Sequence, residues 1–185
     1  MATLTTKRFI LRSITMNDID NIYEYAKEEN VGPNAGWKPH ESREETIEIA
    51  KQIFIGQETV WAIVYKENPK VIGTVALIDD PKREYDRAKM IGYAISQNYW
   101  GRGIMTEVAK EVIEYGFEQL ELDLISAYCY PFNLRSKRVI EKCGFQYEGT
   151  LKKAERVYNG EIYDNLCFAL TKEEYTQKNK KVISK

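Results

Sequence analysis

At 185 residues the chain is large enough for one domain with a substantial core. Its 27 Lys and Arg against 28 Asp and Glu leave a formal net charge of −1, which gives no basic field to draw in nucleic acid or an anionic membrane. No apolar run approaches membrane-spanning length and the first residues lack a signal-peptide core. Cys129, Cys143 and Cys167 are odd in number and unpaired by any Cys-x-x-Cys spacing, so a reducing cytoplasm is expected.

Residues 8–14 read as a strand, and Thr15-x-x-Asp18 resembles a helix start ahead of Ile19, Ile22, Tyr23 and Ala26 at helical spacing. Ser42-x-x-Glu45 opens a second helix carrying Ile47, Ala50 and Phe54, stopped by Gly56. Strands over 60–65 and 71–78 are separated by Asn68-Pro69-Lys70, and 79–86 is a polar loop. Residues 91–96 form the next strand. Gly101-Arg102-Gly103 then leads into a helix whose apolar face runs from Met105 through Val108, Val112 and Ile113 to Leu120. A strand over 124–130 precedes Asn133-x-x-Ser136 and a helix ending at Cys143-Gly144. Two last strands flank Asn159-Gly160, a strong hairpin signal. Residues 1–170 are expected as one domain and 171–185 as a polar, Lys-rich tail.

Glycines between a strand and a helix N-terminus present unpaired backbone N–H groups and the positive end of the helix dipole, a setting suited to phosphate. A Walker A loop is excluded because Ile104 and Met105 follow Gly103 where Lys and Ser or Thr are needed. A dinucleotide fingerprint is weak because Thr106 stands where a third small residue belongs. By itself the turn could equally be a tight bend.

The run from Asn98 to Glu107, followed by Asn133-x-x-Ser136 and the segment to Phe145, resembles the GCN5-related N-acetyltransferase (GNAT) superfamily. Residues 145–155, with Asn159, Gly160 and Asp164, resemble its RimJ/RimL branch, which acetylates ribosomal-protein N-termini. The superfamily often has Gln or Arg where Asn98 stands, a departure that leaves backbone donors intact. The resemblance implies a mixed α/β, acyl-CoA N-acyltransferase fold whose central parallel strands splay apart, the strand–helix–strand unit being a right-handed crossover. It implies acetyl-CoA as cofactor, held by backbone groups near Ile95 and by Gly101, Arg102, Gly103, Ile104, Met105, Thr106 and Asn133.

The reaction implied is direct attack of an amine on the thioester. An α-amine, with a reference pKa of about 7.7 to 8.0, needs only a mild base. The resemblance places Glu155 there, acting through a water, and Ser136 as the acid at the departing thiolate, while Asn133 contacts the pantetheine. Asn133 and Ser136 are also good helix caps. Tyr128 or Tyr130 could replace Ser136, and a backbone N–H near Ile95 would polarise the carbonyl. No metal is expected: His40 lacks ligand partners and reads as a loop or pocket-wall residue. Cys129 reads as a small buried hydrophobe, not an acyl carrier.

The expected acceptor is a protein N-terminal α-amine, and a homodimer is an expected assembly. The rivals are a small amine such as a polyamine or aminoglycoside, for which Asp79, Asp80, Glu84 and Asp86 offer carboxylates in one loop, and a non-catalytic acyl-CoA-binding module, against which the presence of both Glu155 and Ser136 argues.

Overall fold

Runs of β-branched and aromatic residues favour a pleated, buried surface, and in this chain they become the middle of one mixed sheet. The computed structural model describes residues 1–183. The strands are β1 (Leu4–Thr5), β2 (Phe9–Ser13), β3 (Val60–Tyr65), β4 (Val71–Asp79), β5 (Ala88–Ile95), β6 (Leu124–Cys129), β7 (Gln146–Arg156) and β8 (Ile162–Thr171). Their spatial order is β1-β2-β3-β4-β5-β6-β8-β7, antiparallel throughout except for β5 and β6.

Helices cover both faces, which is why β3 is apolar along its length. Trp61 and Ile63 pack in the cluster that contains α3 (Ile104–Glu118), while Val60, Ala62 and Val64 pack with Ile22, Tyr25 and Ala26 of α1 (Ile19–Ala26). Helix α2 (Arg43–Ile53) lies beside α1 and buries Ala50. The helix starts expected from sequence are present: the Thr15 N–H donates to Asp18 Oδ2 at 2.8 Å, and the Glu45 N–H donates to Ser42 Oγ at 3.0 Å.

The crossover through α3 makes β5 and β6 parallel, but they pair only at Ala88↔Leu124, Lys89↔Ile125 and Met90↔Ser126. Beyond Met90 each strand follows its outer neighbour. β5 stays registered with β4 as far as Ile95↔Gly73, and β6 stays with β8 as far as Cys129↔Leu166. The expected splay is therefore present, and a wedge opens between the C-terminal halves of the two central strands.

Three boundaries differ from the sequence reading. β1 is a two-residue strand, too short to carry a period. β5 begins at Ala88, within a stretch whose polar residues hid it, and α3 stops at Glu118 before Leu120. The segment expected as a polar tail starts with the last residue of β8 and continues as α5 (Lys172–Ile183). Tyr175 stacks on Phe117 with ring centroids 4.8 Å apart, and Lys178 Nζ donates to the Gly144 carbonyl. Residues 184–185 of that segment lie outside the described residues.

Candidate active site

The wedge between β5 and β6 deepens into a cleft of about 700 Å³, walled by the start of α3, by α4 (Leu134–Cys143) and by the end of β7. All the residues assigned from sequence to the cofactor or the chemistry line it: Ile95, Gly101 to Thr106, Asn133, Ser136 and Glu155. They divide into two ends and a floor.

At one end, Gly101 and Gly103 hold φ of 74° and 69°, left-handed conformations that glycine adopts without strain. Gly103 is the N-cap of α3 and brings no side chain to that cap. The first N–H groups of the helix are thus left for a ligand. Ile104 and Met105 are buried in the core, so any contact they make with an anion is through the backbone, while Thr106 is half-buried. The turn is tied down from outside the cleft. Glu107 accepts from the Arg8 backbone N–H at 2.9 Å and from Arg8 Nε at 2.7 Å, and Arg8 also donates to the Arg102 carbonyl at 3.3 Å. Arg135 lies 4.0 Å over the Trp100 ring, joining α4 to this turn.

The floor is β5. The Ser96 N–H donates to the Ile72 carbonyl at 2.9 Å, toward β4, so strand alternation turns the backbone groups of Ile95 and Tyr93 the other way, to the edge that β6 has left. Trp100 Nε1 donates to the Ile95 carbonyl at 2.9 Å. The Ile95 N–H faces the cleft, like an unfilled position of the sheet.

Above the floor, the Asn133 side chain caps α4 by accepting the Ser136 N–H at 3.1 Å, and its amide donates to the Asn34 carbonyl at 3.0 Å. Asn133 thus does the capping, which frees the Ser136 hydroxyl for other work. Ser136 Oγ lies 2.9 Å from the Tyr93 hydroxyl, a partner not singled out from the sequence. A tyrosine among the apolar residues of a buried strand needs somewhere to put its hydroxyl, and that was the available signal.

At the far end, Glu155 is half-buried, and its Oε2 accepts from the buried Asn165 amide at 3.3 Å. The Tyr130 hydroxyl also bonds to Glu155. Burial first, and this carboxylate second, push the Tyr130 phenol well above its ordinary value, which keeps it protonated. Tyr130, Phe132 and Tyr163 form an aromatic rim with centroids 5.1 to 5.3 Å apart.

The other candidates are placed elsewhere or otherwise engaged. Tyr128 donates to Asp80 at 2.9 Å and accepts from Arg83 at 2.9 Å, and its phenol is pushed up to about 12, mainly by burial. Burial pushes the Cys129 thiol up to about 11, so little thiolate exists near neutrality for covalent catalysis. His40 Nδ1 lies 2.9 Å from Thr46 Oγ1 at the start of α2, and burial lowers its pKa. The acidic loop is not a cluster of free carboxylates. Asp80 is buried, bonded to Ser126, Tyr128 and Arg83, while Asp79 pairs with Lys89 at 2.5 Å.

Comparison with known proteins bears on this arrangement. Residues 8–146 match the family model for the acetyltransferase (GNAT) domain. An uncharacterized N-acetyltransferase, p20, of Bacillus licheniformis is 33% identical over 95% of this chain and 99% of its own length. A GNAT-family acetyltransferase structure from Bacillus anthracis superposes with a TM-score of 0.83 at 24% identity, covering 94% of this chain and 100% of that one. A ribosomal-protein-S5-alanine acetyltransferase from Vibrio fischeri gives a TM-score of 0.71 at 24% identity, covering 94% and 98%. A spermidine N-acetyltransferase from Vibrio cholerae, solved with CoA and spermine, gives 0.76 at 22% identity, covering 91% and 98%.

Proposed function

Since this chain belongs to the GNAT family of N-acetyltransferases, with acetyl-CoA as its cofactor, we propose that its acceptor is a protein N-terminal α-amine, as in the RimJ/RimL branch. One observation carries the choice of acceptor. Among the described residues lining the cleft, Glu155 is the only carboxylate, set against Lys82, Arg102, Arg135, Arg138 and Lys142. Such a lining suits a phosphate-rich cofactor and an acceptor bearing a single amine. A polyamine needs several carboxylates to meet several ammonium groups, and the loop that could offer them has Asp80 buried in internal bonds. The spermidine acetyltransferase sharing the fold keeps that rival in the test.

The residues present fit the cofactor: open N–H groups at Gly103 and the start of α3, cationic side chains beside them, and an unfilled strand position at β5. When bound, acetyl-CoA would supply an activated acetyl group, to be passed to the amine nitrogen with coenzyme A thiolate as the leaving group. In our reading, Glu155 takes the amine's proton through a water, at the end of the cleft where Tyr130 and Asn165 fix the carboxylate. The Ile95 N–H steadies charge developing on the carbonyl oxygen. Ser136 Oγ, on the opposite wall, donates to the departing sulfur. The wedge itself aligns the two reactants, which removes much of the entropic barrier.

Three free cysteines are in keeping with a reducing cytoplasm, and the long exposed edge strand β7 is the surface a second copy would use to form a homodimer. Incubation with acetyl-CoA, a panel of Ser- and Ala-starting peptides and spermidine, followed by mass spectrometry, tests the acceptor. Modification of peptide α-amines that vanishes on blocking the N-terminus supports the proposal. Acetylated spermidine with unmodified peptides overturns it.

A further inference from the structure

The Tyr93 side chain rises from β5, the floor of the cleft, and ends against α4. Its hydroxyl lies 2.9 Å from Ser136 Oγ and 3.3 Å from the Ser136 carbonyl oxygen. From this geometry we propose that Tyr93 is a positioning residue that sets the direction and acidity of the Ser136 hydroxyl, an inference that rests on the reading of Ser136 as the donor to the departing sulfur.

A serine hydroxyl carries one hydrogen and rotates freely, so in isolation it points at the sulfur only part of the time. Two acceptors compete for it locally. One is the Tyr93 oxygen; the other is any carbonyl within reach in the first turn of α4. The Tyr93 phenol changes that competition. Burial drives its pKa far above the ordinary value, with the Ser136 hydrogen bond pulling the other way, so the phenol keeps its proton and does not pass it on. A proton relay ending in a buried phenolate is thereby disfavoured. The protonated phenol has two acceptors on Ser136, the carbonyl oxygen at 3.3 Å and Oγ at 2.9 Å, and the positioning role takes the shorter contact, donation to Oγ. With that lone pair filled, the serine hydrogen is directed toward the open cleft, and charge gathering on Oγ as it donates is met by a second hydrogen bond.

The backbone fixes this pair tightly. Ser136 is held by its N–H to the Asn133 side chain, and Asn133 in turn by Asn34. Tyr93 sits on β5 in register with Val75 of β4. The bond therefore spans from the central sheet to α4 across the width of the wedge, and it fixes how far the serine stands from the strand edge where the thioester would lie.

The test is the turnover of Tyr93→Phe, Ser136→Ala and the double variant with acetyl-CoA and with acetyl thioesters of more acidic thiols. A hydrogen bond to a group gathering charge corresponds to a loss of about tenfold to hundredfold in kcat, and Tyr93→Phe should show it with KM for acetyl-CoA unchanged. In the Ser136→Ala background the same change should cost less than about twofold, because its target is gone. The loss should shrink as the leaving thiol becomes more acidic and needs less help. A fluorinated tyrosine at position 93, which keeps the ring and donates more strongly, should raise kcat; an unchanged kcat, with a Tyr93→Phe loss that does not depend on thiol acidity, marks a purely structural role and overturns the inference. Full activity in Tyr93→Phe, or an equal loss in both backgrounds, overturns the inference while leaving Ser136 in its role. Full activity in Ser136→Ala overturns the role of Ser136, and the inference with it.

Discussion

A Cβ placed on Gly36 would stand 2.7 Å from Glu155 Oε1 and 2.5 Å from the Tyr130 hydroxyl. The loop before α2 thus comes so close to the proposed base that any side chain there would have to displace Glu155 or Tyr130, and its φ of 88° suits no other residue well. Gly36→Ala should cost about 1 kcal/mol in backbone strain and push Glu155 or Tyr130 aside. We expect kcat/KM for the acceptor to fall by about tenfold. Calorimetric affinity for acetyl-CoA should stay unchanged, since the Gly101–Gly103 turn proposed to hold its phosphates lies at the other end of the cleft. A matching loss of cofactor affinity would show that the two ends are not independent.

Glu155→Gln removes the proposed base and keeps the shape. An α-amine titrates at about 7.7 to 8.0, so most of it is protonated at neutral pH and the variant should lose about a hundredfold in turnover there. Above pH 8 the amine deprotonates without help and the deficit should narrow. Rates across pH 6 to 9 measure this directly, and wild-type rates over the whole range would remove Glu155 from the mechanism.

Acetyl-CoA at a hundredfold excess over its dissociation constant should stabilise the fold by about 2.7 kcal/mol in thermal or urea melts, while NAD should have little effect. Gly103→Val should abolish the shift. A Cβ at position 103 meets no atom within 4 Å, so the loss would come from the backbone, whose φ of 69° a β-branched residue cannot hold. An equal shift with NAD would count against the cofactor assignment of the turn.

Asp80 anchors the β4–β5 loop beside the cleft. Burial pushes its carboxyl up, but hydrogen bonds from Ser126, the Lys82 N–H, Tyr128 and Arg83 outweigh this and hold it below its ordinary 3.8. A folded-state pKa below the unfolded one contributes stability that is present above about pH 4 and lost as pH falls through the lower folded value. Asp80→Ala should leave part of this network unpaired, cost about 3 kcal/mol in urea melts at pH 7, and flatten the acid limb of the stability profile below pH 4. An unchanged acid limb would show that another carboxylate governs it.

The sequence by itself determined most of the elements and the glycine turn before α3, because these depend on local rules: apolar β-branched runs in β3 and β4, helical spacing from Met105 to Phe117, and paired glycines that hold positive φ at Gly101 and Gly103. It also marked Glu155, Ser136 and Asn133, though through resemblance and not through any chemistry visible in their neighbours along the chain. Only the tertiary structure decided what those residues touch. Tyr93 and Ser136 are 43 positions apart, and Gly36 meets Glu155 from the other side of the sheet order, so no local pattern could join them. The same holds for the acidic loop. As a string, Asp79, Asp80, Glu84 and Asp86 offer carboxylates to a rival polyamine acceptor, whereas folding turned Asp80 inward onto Ser126 and Tyr128. A charged residue's availability is set by burial and by partners distant in sequence, and those exist only once β4, β5 and β6 lie side by side.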